Sequence, residues 1–405
     1  MKQDVFNERI GWKKTLIIGF QHVLTMCPGT IAVPLILAGA LGMSAEETAF
    51  LVAANFFTSG IAILIQVLGC GTWIGSKYPI ILGSSFAPLS PMIIIGQKYG
   101  MQTLFGSIIA SGIAIFILSF FMDKILKLFP PVVVGTFVTL IGISLAPTAI
   151  RDLAGGEGAE EFGAIPNLLL GIIAGTVTGC FLHMVDFTPI LEAKVFQPVR
   201  PFYFGMPAFK TGPILIMTIF CIINMIQCIG VFSVVDEVTG VQTDNKIKER
   251  GIRGQAFSQI VTGAFNSVPS TMFNENVSLI DLTKVKSRSV IVAAGIMVII
   301  AGIFPKISAV ITAVPKCVLG GATLALFGVI TSSGISILSK LDFGANNNFK
   351  IIGTSIAIGV GATFAPEIFT ELPETFSMVM SNGLFMVSIS AIILNLLLNG
   401  KKALS

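Results

Sequence analysis

Long apolar runs recur along the whole chain, and each is about as long as a bilayer is thick. Stretches such as 16–40, 47–69 and 212–235 are mostly apolar, and a helix of about 20 such residues crosses the hydrocarbon core. Only 11% of the 405 residues are charged, against about 25% in soluble domains. We therefore predict an all-α polytopic membrane protein, because the chain lacks the charge to cover a soluble surface.

The predicted spans are 16–40, 47–69, 79–96, 101–121, 130–149, 166–185, 212–235, 253–268, 276–283, 288–304, 306–316 with 317–338, 350–366 and 379–398. A transmembrane β-barrel would instead show about ten-residue segments of alternating polarity, and the sequence has none. The six cysteines have no metal-ligand spacing, and no HExxH or Gly-x-Ser-x-Gly motif is present. We expect no enzyme, no metal and no cofactor. The net charge of +4 is spread over short loops, which argues against a nucleic-acid partner.

The loops between the runs alternate in charge. Lys and Arg cluster at 2–14, 124–127, 246–253, 284–288 and 401–402, whereas acidic residues dominate 46–47, 152–161 and 367–374. The positive-inside rule then predicts a protein of the cytoplasmic membrane with both termini in the cytoplasm.

The number of crossings conflicts with this orientation. Residues 151–161 fall outside when counted from the N-terminus, and 241–253 fall inside when counted from the C-terminus. Only two long apolar runs lie between them, and two crossings return a chain to the same side. Either one charge assignment is wrong, or one run does not span simply, or a helix has been lost.

Polar groups interrupt three of the apolar runs: Gln21-His22, Asp236-Glu237 and Asn274-Glu275-Asn276. An ionisable residue within a membrane costs about 2.5–3.5 kcal/mol on insertion scales, so these groups are functional candidates. Each also has a structural interpretation. His22 would form a helix-packing hydrogen bond, Glu237 would cap a cytoplasmic helix end, and Glu275 would be a loop carboxylate between two short helices.

The two halves of the chain also repeat one pattern. Pro79 is followed at plus five and plus six by Ser84-Ser85, and Pro269 at the same offsets by Asn274-Glu275. Paired broken helices in inverted repeats are common in transporters, and they point to a binding site at the midplane. A carboxylate and amides there would suit the N–H and C=O groups of a nucleobase, and Phe86 or Phe273 would stack on a flat ring. A low dielectric also favours the neutral, protonated carboxyl group over the charged carboxylate, which gives a route to proton coupling.

At these positions the sequence resembles the nucleobase–ascorbate transporters, the xanthine/uracil permeases. FQHVLTM and AVPLI are similar to the Gln-His element of that family's first span, and LGSSFAPLSPM to the extended strand of its third. The stretch from Glu275 to Lys284 resembles the signature Q/E/P-N-x-G-x-x-x-x-T-R/K/G. PKISAVITAVPKCVLGGATLALFGVITSSGI resembles the later spans, so the resemblance covers almost the whole chain.

The resemblance implies fourteen spans in two inverted repeats, with a core domain, a gate domain that supports a homodimer, and two short strands near 83–87 and 271–275. We assign the core to 15–128 and 211–304, and the gate to 129–210 and 305–398. The region 162–190 holds one span where the family has two, so we expect about 13–14 spans with one gate span missing, which would explain the crossing conflict.

The resemblance also implies roles for the polar residues. Glu237 and Glu275 would bind the base, with Asn274, Asn276, Ser85 and Phe86 around it. His22 and Gln21 would tune the site, and His22 and Glu237 would contribute to proton coupling.

We expect proton-coupled uptake of a nucleobase by alternating access, with xanthine or uric acid as the substrate. The motifs FNSVP and EVTGV resemble the xanthine and uric-acid branch, whereas Glu275 resembles the uracil branch. A uracil permease, a sulfate-type anion transporter of the same fold, and a relative that binds a base without transporting it are the alternatives. Three departures from the family bear on this: Ser278 replaces the signature glycine, Arg253 stands where an acid is common, and Val241 replaces a polar residue.

Overall fold

The computed structural model describes residues 4–122, 128–155, 196, 198–304, 306, 316–343, 347–372 and 374–400. The predicted span 166–185 and the shortened region 162–190 lie outside these ranges. The helices are α1 (Trp12–Ala40), α2 (Ala45–Leu68), α3 (Leu89–Leu118), α4 (Pro131–Leu153), α5 (Thr211–Thr239), α6 (Asn245–Ala264), α7 (Asn274–Thr283), α8 (Arg288–Ile303), α9 (Lys316–Ser339), α10 (Asn348–Phe364), α11 (Glu374–Met380) and α12 (Gly383–Asn399). The strands are β1 (Leu82–Ser84) and β2 (Ser270–Met272).

The helices follow the apolar runs closely, and local residues set their ends. Within the described residues, α1 to α5 are long and apolar enough to cross a membrane. Gly100, at φ +80°, breaks α3 into two helices, because this conformation suits glycine and few other residues. Helix α6 begins eight residues before the predicted span at 253, since the Asp244 side chain caps it by accepting from the Lys246 N–H at 3.3 Å.

The described helices form two bundles. The first contains α1, α2, α3, α5, α6, α7 and α8, and the second contains α4, α9, α10 and α12. Glycines allow close approach within each bundle. A Cβ on Gly302 of α8 would lie 2.4 Å from the Phe57 nitrogen of α2, and one on Gly334 of α9 would lie 2.4 Å from the Thr139 nitrogen of α4. Small residues at helix crossings are typical of membrane proteins.

Both ends of the described chain lie at the same end of the molecule. Ser287 Oγ donates to the Glu8 carbonyl at 2.7 Å, and Lys286 Nζ donates to the Thr239 carbonyl at 2.8 Å. The end of α9 reaches this face too, because Lys340 pairs with Glu237 of α5. Asn347, seven residues later, donates from Nδ2 to the Leu398 carbonyl near the end of α12 at 3.1 Å. We call this face the basic end.

Candidate substrate site

Two short strands from distant parts of the chain pair inside the first bundle. They are antiparallel, with Leu82 opposite Met272 and Ser84 opposite Ser270. The expected strands at 83–87 and 271–275 are therefore displaced and shortened. Helix α7 begins at Asn274 and takes that residue and Glu275 into its first turn. Each strand thus ends shortly before the N-terminus of a helix, where backbone N–H groups remain available to a ligand.

Buried amide side chains hold the two strands in place. Asn55 Nδ2 donates to Ser84 Oγ at 2.8 Å, and Gln255 Nε2 donates to the Ser270 carbonyl at 3.0 Å. Asn224 Nδ2 also donates to the Ser270 carbonyl at 3.2 Å, while its Oδ1 accepts from Ser85 Oγ at 3.0 Å. The Ser85 hydroxyl is therefore bonded within the protein and does not line the cavity described next. These bonds offset the cost of burying polar groups at the strands.

A small cavity of about 20 Å³ lies beside the strands and the first turn of α7. It is lined by Ser84, Phe86, Ala87, Ile141, Gln227, Thr271, Met272, Phe273, Asn274, Glu275 and Ile330. The structure thus brings together Phe86, Asn274 and Glu275 of the predicted site residues, together with the second aromatic candidate, Phe273. We call this space the site cavity.

Gln227 is one of the lining residues that were not predicted from the sequence. It lies in the interior of α5 and lines the site cavity with Glu275. A polar amide within the apolar run CIINMIQCIGVF was a visible signal. Glutamine carries no charge, so the criterion of an ionisable residue within an apolar run does not select it.

Glu237 does not share the site cavity with Glu275, contrary to the predicted pair. It lies ten residues beyond Gln227 on α5, which is about 15 Å along a helix at 1.5 Å per residue. Its side chain is 67% exposed and accepts from Lys340 Nζ at 3.0 Å. Glu237 and Lys340 line an adjoining cavity of about 340 Å³, which we call the vestibule. The vestibule shares Gln227 and Asn274 with the site cavity. The position of Glu237 matches the alternative of a charged helix end.

Replacing Glu237 with Gln is therefore expected to leave the affinity for the expected nucleobase nearly unchanged. An exposed ion pair contributes about 0–1 kcal/mol, so we expect less than about a fivefold change in Kd. Isothermal titration with the purified variant measures this. A loss of binding in a variant that melts like the parent protein would return Glu237 to the site.

His22 contacts the signature segment through Asn276. The Asn276 Nδ2 lies 2.9 Å from the His22 carbonyl oxygen and 3.1 Å from His22 Nδ1. The carbonyl can only accept, so the amide NH₂ faces both atoms and Nδ1 is the acceptor. The imidazole proton is then on Nε2, which is buried and has no partner among the described residues. Neither residue lines the site cavity, so any effect of His22 on it passes through Asn276 and α7.

Gln21 lies on the exposed face of α1, away from the site cavity. Successive residues of a helix point about 100° apart. His22 is buried, so its neighbour faces outwards. Gln21 and His22 therefore lie on different faces of α1, and neither lines the site cavity. Their tuning of the site stays a prediction.

The Xan_ur_permease model, described as the Permease family, matches residues 13–168 and 158–368. Together these matches cover most of the chain. The chain belongs to this permease family. It is a multi-pass membrane permease and not an enzyme.

Individual relatives of this permease match along nearly their whole length. The xanthine permease of Bacillus subtilis (strain 168) is 39% identical over 417 residues, covering 96% of this chain and 95% of the relative. The uric acid permease PucJ of the same organism is 40% identical, covering 97% and 94%. The uric acid transporter UacT of Escherichia coli (strain K12) is 34% identical, covering 96% and 86%.

Solved structures share the fold at low sequence identity. The transmembrane domain of the cyanobacterial bicarbonate transporter BicA has a TM-score of 0.56 at 13% identity, covering 96% of this chain and 99% of that domain. Murine Slc26a9, an anion transporter, has a TM-score of 0.59 at 10% identity, covering 96% and 69%. The helical fold with two short strands is therefore that of known membrane transporters.

The family match is interrupted where the crossing conflict arose. Its two parts overlap at 158–168 instead of continuing one another. In the alignment with the xanthine permease, 96% of 405 residues is about 389, so about 28 of the 417 aligned positions have no residue here. That shortfall is about the length of one membrane-spanning helix. Its size agrees with the prediction of one missing span.

Proposed function

We propose that this permease takes up a purine nucleobase, xanthine or uric acid, across the cytoplasmic membrane in symport with protons. Similarity over nearly the whole chain to xanthine and uric acid permeases carries the proposal. The lining of the site cavity fits such a ligand. The Glu275 carboxylate accepts N–H bonds, and the amides of Gln227 and Asn274 can both donate and accept. Among its described lining residues there is no Lys or Arg, which argues against the anion alternative.

Access to the site requires the two bundles to move apart. A cavity of about 20 Å³ is close to the volume needed by one water molecule and too small for a two-ring base. The second bundle closes it with Ile141 of α4 and Ile330 of α9. Beside them, the ring centroids of Phe327 and Phe86 lie 5.1 Å apart. We infer that the second bundle moves against the first, so that the site opens to each side in turn.

Proton coupling is assigned to Glu275. An unpaired carboxylate is costly to enclose between apolar side chains such as Ile141 and Ile330. Bonds from the purine N–H groups offset part of that cost and protonation removes the rest, so the bundles close only when both the purine and the proton are bound. The proton thus makes closure around the substrate favourable.

Uptake into proteoliposomes tests the proposal. An acidic exterior is expected to drive accumulation of labelled xanthine or urate, and a protonophore is expected to abolish it. Competition by excess unlabelled uracil or sulfate tests the other substrates. Transport of the purine at the same rate with and without a pH gradient would rule out symport.

A relative that binds purines without transporting them is the second candidate. The two parts of the family match overlap at 158–168, and a segment lost there would fall in the predicted gate, which favours this candidate. Purine binding without exchange of internal for external substrate would support this candidate, and rapid exchange would exclude it.

We also propose a homodimer through the gate and termini in the cytoplasm. Cross-linking tests the homodimer, and the accessibility of residues at the basic end tests the orientation of the termini.

A further inference from the structure

A third cavity, of about 300 Å³, lies at the basic end and shares no described residue with the site cavity or the vestibule. It is lined by Thr72, Trp73, Phe120, Lys246, Glu249, Arg250 and Arg253. Three of these side chains are cationic, and Glu249 is the single carboxylate among the described lining residues. We call it the basic cavity. Its excess of positive charge favours an anionic occupant.

The two arginines of the basic cavity lack enough partners within the described chain. The Arg253 side chain is only 10% exposed; its Nη2 donates to Glu249 at 2.9 Å, and its guanidinium lies 4.9 Å from the centre of the Phe120 ring. Its Nε has no hydrogen-bond partner there, nor do Nε and Nη2 of Arg250. Buried guanidinium groups without acceptors are costly. A bound anion would supply the missing charge and, after small side-chain shifts, the missing acceptors.

Aromatic residues place the basic cavity at the membrane surface. Trp73 is 62% exposed, and Phe120 and the adjacent Phe121 are 48% and 54% exposed. Tryptophan is enriched at the depth of lipid headgroups. The basic end is also the face that the positive-inside rule assigns to the cytoplasm, where anionic lipids attract Lys and Arg. Charge and depth together match an anionic lipid better than a soluble ligand.

We propose that the basic cavity binds the phosphate of an anionic phospholipid headgroup. Lys246 and Arg250 contact the phosphate, Arg253 adds charge behind them, and Trp73 and Phe120 lie along the lipid's glycerol and acyl region. A free phosphate ion has the same charge chemistry, but it would leave the exposed aromatic wall uncovered. The lipid would join α6 to the segments that follow α2 and α3 at the edge of the first bundle.

Quenching of Trp73 fluorescence tests the proposal in full-length protein. The chain has two tryptophans, so Trp12→Phe leaves Trp73 as the reporter. In phosphatidylcholine vesicles, a small fraction of brominated phosphatidylglycerol is expected to quench Trp73 about fivefold more than the same fraction of brominated phosphatidylcholine. Equal quenching by the two lipids would overturn the proposal. Loss of the preference in excess inorganic phosphate would assign the cavity to the free ion instead.

Variants of α6 assign the effect to the cavity. Lys246→Gln and Arg250→Gln are each expected to reduce the preference for phosphatidylglycerol towards equal quenching. Lys248→Gln is the matched control, because it removes the same charge from the same helix two residues away and outside the cavity lining. An equal loss of the phosphatidylglycerol preference in Lys248→Gln would mean that general surface charge attracts the lipid. That result would overturn the proposed site. Lys246 is exposed, so its variant remains informative if Arg250→Gln does not fold.

Discussion

Replacing Glu275 with Gln is expected to weaken purine binding by about 10- to 100-fold. The variant keeps the size of the side chain but replaces the carboxylate with a neutral amide. Position 275 then carries the same type of group as Asn274 and Gln227. Hydrogen bonds to a charged group contribute about 1.5–3 kcal/mol, which sets the expected range. Binding of labelled xanthine to purified protein gives the Kd, and the melting temperature shows whether the variant is folded.

A second substitution turns this result into a test of the site cavity. Gln227 and Glu275 line the same space, so Gln227→Glu in the Glu275→Gln background restores one carboxylate from the opposite helix. We expect the double variant to recover at least part of the lost affinity. Gln227→Glu alone places two carboxylates in the cavity and should bind more weakly than the parent protein at high pH. Wild-type affinity in Glu275→Gln would remove this carboxylate from the binding mechanism.

Gly83→Ala is expected to abolish purine binding while leaving the protein folded, with only a modest loss of stability. A Cβ at this strand position would lie 2.5 Å from Phe273 Cζ and 2.8 Å from Thr30 Oγ1. The Phe273 ring must then move, and because it lines the site cavity we expect it to occupy that space. Overpacking of this kind costs about 1–3 kcal/mol. Thermal unfolding and ligand binding on the same sample separate the two effects.

Gly328→Ala serves as the control for this substitution. Its Cβ would meet nothing within 4 Å, and alanine favours a helix over glycine by about 1 kcal/mol. We expect unchanged binding and an equal or higher melting temperature. Normal binding in Gly83→Ala would mean that the Phe273 ring is displaced away from the site cavity.

The architecture was largely predictable because a bilayer imposes a length on each apolar run. Helices such as α1, α2 and α8 end within a few residues of the predicted spans. The strands were harder to place, since only three residues pair in each. The Pro79 and Pro269 echo identified the correct two elements, but β1 starts three residues after its proline and β2 one residue after. The repeat therefore aligns the elements with an error of two residues.

The site was less predictable because residue type alone does not give depth. Glu237 adjoins an apolar run, yet it lies in the last turn of α5, where an exposed lysine pairs with it. Gln227 is neutral and lies in the interior of the same helix. The contact between His22 and Asn276 joins residues 254 positions apart, which no local pattern reports. The roles proposed for Glu275, Asn274 and Phe86 remain predictions, although the structure places all three around one cavity.

The pairing of β1 with β2 has a consequence for synthesis of the protein. Ser84 and Ser270, like Leu82 and Met272, are partners about 190 residues apart. Contacts at such separation form slowly, because closing a long loop costs entropy before any bond is gained. During translation β1 remains unpaired until the second half of the chain, which contains β2, enters the membrane. The site cavity therefore cannot form on a nascent first half, and β1 is an available edge for mispairing until β2 is synthesised.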